Sequence, residues 1–241
     1  MTTSLYVALS GQIVRERRLE TIATNVANMN SVGYRATGVS FEARPAPASG
    51  GGATYVDSGT DFVSRRAGAL TRTENPFDIA VNGDGWLGIK QSNGVAYTRD
   101  GRLKLSESGE LQTVNGDSVL DVGGAPLTLD PNGGSVSIAA DGMISQGGRQ
   151  FGAVGLFLLA PDARLTRSAN ASVVPDKPAS PVLDFTNNGI AQGYVESSNV
   201  DPILEMTKLI SLSREFDDIS ATISQTENSL GDAIKTLLAT S

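Results

Sequence analysis

Apolar residues along the chain fall into three textures. Over residues 4–29, Leu5, Leu9, Leu19, Ile22, Val26 and Met29 recur largely at steps of three and four, the period of one helical face. Gln12 and Glu16 interrupt that face, so the stripe is narrower and more polar than that of an ordinary core helix. The pattern runs out in the stretch IATNVANMNSVGYRATGVSF, where Asn25, Asn28 and Asn30 crowd the helix end and Gly33 follows. Asparagine is a poor helix-interior residue because its amide competes for backbone groups. Gly33 suits a turn that needs positive φ. The amides either cap the helix end or face something outside the chain.

The far end predicts a second helix over residues 201–239. Asp201 is placed to cap it, Pro202 to open its first turn, and Glu205 to sit where a carboxylate suits the helix dipole. From there Leu209, Leu212, Phe216, Ile219, Ile223, Thr226, Leu230, Ala233 and Leu237 alternate steps of three and four. That is a heptad seam, the signature of a coiled coil; the plainer alternative is an amphipathic helix laid on a globular core.

Between the helices the texture is β. EARPAPASGGGATY is a Pro/Ala/Gly linker with no core-forming pattern. From about residue 76 to 198, short apolar runs alternate with turn signals. Asn-Gly and Asp-Gly pairs begin at Asn82, Asp84, Asn93, Asp100, Asn115, Asn132 and Asp141 and predict tight hairpin turns. Residues 169–188 read as a loop-rich excursion, and GIAQGYVE as a last strand leading to the C-terminal helix. The expected fold class is α+β, with N- and C-terminal helices pairing as a coiled coil and an inserted all-β domain, barrel- or sandwich-like. The expected division is a discontinuous helical, tube-forming domain of residues 1–35 plus 199–241, an extended linker and hairpin region over 36–75, and a β domain over 76–198.

Charge sharpens this picture. Residues 1–44 carry five Arg and three Glu, and residues 200–241 carry three basic and seven acidic residues. The terminal helices are therefore electrostatically complementary, which helps set partner and register. A lone pair of such helices buries little and is marginal. Many copies side by side would bury more, which is the shape of a tube-forming subunit. In a tube every helix end repeats around a ring, so an unpaired amide would recur many times. On this reading Asn30 works locally, while Asn25 and Asn28 are shared between subunits.

Composition excludes several functions. The 241 residues contain no His and no Cys, which removes disulfides, thiolate metal sites and the commonest general base. The net charge of −7 argues against nucleic acid or an anionic membrane as partner. No apolar run approaches the roughly 20 residues of a membrane span. The N-terminal MTTSLYVALSGQIVRERRLE places its basic residues after its apolar ones, unlike a cleavable secretory signal.

The remaining chemistry is weighed against plainer readings. Arg15, Arg17 and Arg18 could bind an anion, but suit a solvated or pairing face opposite the acidic helix. NGDGWLG lacks the Lys-Ser/Thr of a phosphate loop and reads as a turn. Asp84, Asp100, Asp117, Asp121, Asp130 and Asp141 sit singly in turns, without the dense acid spacing of a calcium loop. A glycan-cleaving enzyme needs two carboxylates, for which Glu107, Glu110 and Glu196 are the candidates. A phage-tail or adhesin-like binding module is a further alternative, but does not need complementary helices at both ends.

Three stretches resemble the axial-protein family of the bacterial flagellum, whose rod and hook subunits share both chain ends and a middle motif. LETIATNVANMNSVGYRATGVSFE is similar to the N-terminal signature at Asn25, Ala27, Asn28, Asn30, Gly33, Tyr34 and Arg35. NPFDIAVNGDGWLGIK with VAYTRDGRLKLSESGELQT is similar to the signature opening the β domain. QGYVESSNVDPILEMTKLISLSREFD is similar to the C-terminal signature at Glu196, Ser198, Asn199, Val200, Glu205, Met206 and Ile210. Thr24, Met29 and Trp86 depart from the family's common residues. The opening SLYVALSGQ and the short length resemble the proximal-rod subunits, with distal-rod and hook-type subunits as the alternative. The resemblance implies a structural subunit of the periplasmic rod, stacked helically with paired terminal helices inside and β domains outside. It would transmit motor torque and conduct exported subunits. Its partners would be other rod proteins, copies of itself and the flagellar type III export apparatus, with export not needing a cleavable signal peptide. No catalysis, metal, cofactor, nucleic acid, small-molecule substrate or direct membrane insertion is expected. The expected subunit interface comprises Leu5, Leu9, Leu19, Ile22, Asn25, Val26, Asn28, Asn199, Met206, Leu209, Leu212, Phe216, Ile219, Ile223, Leu230 and Leu237.

Overall fold

The computed structural model describes residues 2–41, 43–45, 54–56 and 59–239; the side chains of 2–9, 43–45, 54–56, 219, 222–223, 226–234 and 236–239 lie outside that description. The fold is α+β, with two long helices and many short antiparallel strands. The chain divides into two compact units. One is made of residues 1–27, 37–61 and 201–241, the other of residues 28–36 and 62–200.

The first unit is built on α1 (Thr2–Ala27) and α2 (Pro202–Ala239). α1 ends two residues before the last periodic position, Met29, because Asn28–Asn30 turn the chain. α2 begins as its sequence dictates. The Asp201 carboxylate accepts the Leu204 backbone N–H at 3.0 Å, and the Asp201 carbonyl accepts that of Glu205 at 3.0 Å. This satisfies donors that a helix start leaves without partners. α1 and α2 pack on each other. Leu212 is buried, while Leu19, Ile22, Val26, Leu209 and Phe216 are half-buried. In the linker, Ala43–Pro45 and Thr54–Val56 pair antiparallel, so a hairpin stands where the composition shows no core.

The second unit is antiparallel throughout its named strand pairs. Its central strand, Trp86–Gln91, pairs with Gly94–Thr98, Ser118–Val119 and Leu156–Leu158 in a nine-stranded sheet. Val136–Ile138, Met143–Gln146 and Arg149–Ala153 form a three-stranded sheet. The unit's last strands return to its first: Gly189–Gln192 pairs with Ile79–Asn82, and Tyr194–Glu196 with Leu70–Arg72. GIAQGYVE is thus two strands, broken at Gly193, whose φ is +79°. Ile79, Val81, Leu87, Leu111, Val119, Ile144, Val154 and Leu156 belong to the main core, and Trp86, Leu165 and Val173 to a smaller one.

Two expectations are corrected here. Residues 169–188 are not simply a loop: Val173–Pro175 pairs with Leu165–Arg167, and Val173 with Tyr97, within the large sheet. The flanking prolines and polar residues hide a run only three residues long. Asp100-Gly101 is not a hairpin turn. The Gly101 carbonyl accepts the Ile79 N–H at 2.9 Å, and a Cβ on Gly101 would lie 1.7 Å from the Ile79 carbonyl oxygen. Glycine is used there for close backbone approach.

Candidate assembly elements

Asn25 holds the helical unit together. Its side chain is buried near the end of α1. Its Nδ2 donates to the Thr37 carbonyl at 2.9 Å, and its Oδ1 accepts the Thr37 N–H at 2.9 Å. The amide thereby replaces a strand partner for the start of Thr37–Ser40. Nδ2 also lies 3.4 Å from Glu205 Oε2, and the other oxygen of Glu205 receives Lys208 Nζ at 2.6 Å. Glu205, read from sequence as a dipole partner, is a buried tie between α1 and α2.

Both polar atoms of Asn25 thus bond within the chain. Asn28 is half-buried, and its Oδ1 accepts the Ser31 hydroxyl at 3.1 Å, a local turn contact. Asn199 is likewise internal to the β unit. Its Oδ1 accepts the Ala36 N–H at 2.7 Å, and its Nδ2 donates to Ser64 Oγ at 3.1 Å and to the Arg66 carbonyl at 2.6 Å. An amide can bond two peptide groups at once, so it serves as readily to clip two segments of one chain as to join two chains.

The apolar members of the expected interface divide differently. Leu212 is buried, and Leu19, Ile22, Val26, Leu209 and Phe216 are partly covered. Met206 is exposed, and so are Ile203 and Ile210, at 78% and 55%. Steps of three and four place these three on one face of α2, turned away from buried Glu205 and Leu212. Sequence reading placed Ile210 on the family signature and did not single out Ile203. The side chains of Leu5, Leu9, Ile219, Ile223, Leu230 and Leu237 lie outside the described residues.

The arginines of α1 have separate partners. Arg15 lies 3.5 Å from Glu215 of α2, Arg17 lies 3.2 Å from Asp61, and Arg18 stacks 5.0 Å from the Phe41 ring. The two ion pairs are substantially exposed and contribute about 0–1 kcal/mol each. They favour a register more than they hold the unit.

The largest departure from the sequence reading lies inside the β unit. Glu196, once a carboxylate candidate for catalysis, is fully buried. Its two oxygens meet Arg35 Nη2 at 2.7 Å and Arg99 Nη1 at 3.0 Å. The Gly68 N–H donates to Oε1 at 2.9 Å, and the Gly33 N–H to the Glu196 carbonyl at 2.7 Å. Arg99 also donates to the carbonyls of Val81 and Gly83, and Arg35 to that of Arg65. Both guanidiniums lie against Trp86, at 5.6 and 5.2 Å from the ring, a favourable cation–π arrangement. Burial lowers the pKa of Arg35 and brings that of Arg99 down to about 10, helped for Arg99 by the Arg35 charge and opposed by Glu196. Arg167 stacks 4.3 Å from the Tyr34 ring and donates to the Arg35 carbonyl. Sequence reading placed Arg35 and Glu196 on separate motifs but could not bring them together.

The other candidates have turn or surface roles. Glu107 is exposed, and Glu110 accepts Gln112 Nε2 at 3.0 Å. In NGDGWLG, the Asn188 side-chain oxygen accepts the N–H groups of Asp84 and Gly85. Asp121, Asp130 and Asp141 each accept a nearby backbone N–H, as turn aspartates do. Asp100 holds Arg102, and Asp117 accepts Gln91.

Three family descriptions match the chain in order. "Flagella basal body rod protein" covers residues 5–35, "Flagellar hook protein FlgE/F/G D1 domain" covers 80–146, and "Flagellar basal body rod FlgEFG protein C-terminal" covers 191–236. The chain is 46% identical over 237 residues to a flagellar basal-body rod protein FlgF of Mesorhizobium japonicum, with 98% of each chain covered. It is 44% identical to that of Rhizobium meliloti over the same coverage. It is 29% identical to a flagellar basal-body rod protein FlgG of Bacillus subtilis, with 97% of this chain and 98% of the relative covered.

Proposed function

The chain belongs to the flagellar basal-body rod protein family, and from that premise we propose how it builds the shaft. It is a structural rod subunit of the flagellum, and its 46% and 44% identity to two F-type relatives supports a proximal-rod type. In our reading α1 and α2 pair as a coiled coil, and copies stack helically so that the paired helices line a hollow tube. The helices of the first unit, α1 and α2, form that tube, and residues 28–36 and 62–200 are the β domain, closed in a barrel- or sandwich-like manner. The tube passes through the periplasm, carries motor torque and conducts exported subunits. The chain is delivered by the flagellar type III apparatus, and its partners are its own copies and other rod proteins.

The observation that carries this reading is the exposed stripe Ile203, Met206 and Ile210 on a helix whose opposite face already meets α1. A helix face left apolar and exposed marks an interaction surface. Leu19, Ile22, Val26, Leu209, Leu212 and Phe216 join the two helices of one copy, and the stripe meets the next copy. By sequence spacing alone, Ile219, Ile223, Leu230 and Leu237 continue the heptad of α2, and Leu5 and Leu9 the apolar stripe of α1. Replacing Met206 and Ile210 together by Glu tests this. The chain should fold and be exported but be missing from isolated basal bodies, and cells should be non-motile. Normal incorporation of the double variant would refute the interface. Normal motility in cells lacking the chain would refute the rod role itself.

A further inference from the structure

We propose that residues 196–199 are a closing clasp on which folding of the β unit waits, so that a chain emerging N-terminus first stays open until almost all of that unit is present.

Two independent observations carry this. The first is topological. The unit's last two strands, Gly189–Gln192 and Tyr194–Glu196, pair with its first two, Ile79–Asn82 and Leu70–Arg72. Closing the unit therefore joins segments more than a hundred residues apart, an entropy loss that local contacts do not offset early. The second is electrostatic. Arg35 and Arg99 are both 2% exposed at the side chain, and both meet the carboxylate of Glu196. Until Glu196 arrives, closing the core around Trp86 would bury two neighbouring cations without a carboxylate between them. The penalty for such burial is a large fraction of the stability of any domain this size.

The same short segment supplies the remaining ties. Glu196 accepts the Gly33 and Gly68 N–H groups. Asn199 clips Ala36, Ser64 and Arg66, and its own N–H donates to the Tyr34 carbonyl at 3.3 Å. A Cβ on Gly68 would lie 1.8 Å from the Ser197 carbonyl oxygen, so the segment seats directly on residue 68. Residues 33–36, 64–68 and 99 are thus fixed by groups that come last. The arrangement goes beyond the rod role, and it does not depend on how copies pack.

The test is refolding and unfolding kinetics of the full chain, followed by the fluorescence of Trp86, its only tryptophan. Glu196→Gln keeps the shape and removes the charge. If the clasp forms in the rate-limiting step, this change slows refolding at least tenfold and leaves the unfolding rate nearly unchanged. Asn199→Ala, a milder lesion in the same segment, should also act mainly on refolding, which keeps the test open if Glu196→Gln does not fold. Neutralising the cations in Arg35→Met with Arg99→Met should make a further Glu196→Gln change nearly silent in both rates. The proposal is overturned if Glu196→Gln and Asn199→Ala accelerate unfolding while refolding stays at the wild-type rate. That result would mean the β unit closes first and the clasp is added afterwards.

Discussion

Replacing Asn25 by Ala separates the structural account from the one its sequence suggests. The amide is 4% exposed and engages Thr37 twice at 2.9 Å and Glu205 at 3.4 Å. Each net hydrogen bond contributes about 0.5–1.5 kcal/mol, and a stranded buried partner costs about 1–3 kcal/mol. Alanine returns roughly half a kcal/mol in helix propensity. The sum is a loss of about 2–4 kcal/mol to the helical unit of the single chain. With a urea slope of about 1–3 kcal/mol per molar, the midpoint of helix loss should fall by about 1–2 M. Far-UV circular dichroism measures it directly on the soluble chain. Asn28→Ala, removing the acceptor of the Ser31 hydroxyl, should shift the midpoint by only a few tenths molar. If Asn25→Ala unfolds like the wild type while rods fail to assemble, the in-chain clip is wrong and the amide serves a neighbour.

Three further outcomes follow from particular contacts. Leu212→Asp places a carboxylate at a buried position of α2 and should cost about 3–5 kcal/mol, read as loss of helix signal with the Trp86 fluorescence preserved. Gly33→Ala should destabilise the β unit by several kcal/mol, because φ is +69° and a Cβ would lie 2.2 Å from the Asp100 nitrogen; a Trp86 urea midpoint within a few tenths molar of wild type would contradict this. Asn199→Ala strands the Ala36 N–H and the Arg66 carbonyl, and by the same arithmetic should lower that midpoint by about 1 M while leaving α2 helical.

Much of the fold was legible because it is written in local chemistry. Period, caps and turn residues located α1, α2, the Asp201 start and the Gly33 turn within a residue or two. The heptad spacing also identified Leu212 as a covered position. Period, however, reports that a face is buried and not what covers it. Asn25 and Glu205 lie 180 residues apart, and neither carries a local sign of meeting the other. Arg35, Arg99 and Glu196 were harder still. A charged residue in a polar stretch reads as solvated, and only tertiary structure brings a carboxylate between two cations. Val173–Pro175 escaped because three residues are too few to show alternation. The apolar stripe of Ile203, Met206 and Ile210 was half visible: Met206 and Ile210 sat on a recognised motif, but their exposure depends on where α1 lies.

The central claim is that this chain is a rod subunit meeting its neighbours through the outer face of α2. The chain has no Cys, so Met206→Cys carries a single thiol at an exposed site. Basal bodies isolated from motile cells carrying this variant can be treated with a short thiol-to-amine cross-linker and, separately, with a soluble maleimide. The account predicts cross-linked species joining this chain to another copy or to another rod protein, and a thiol shielded from maleimide in the assembly but labelled in the free chain. A basal body in which position 206 stays uncross-linked and is labelled as fast as in the free chain would contradict it.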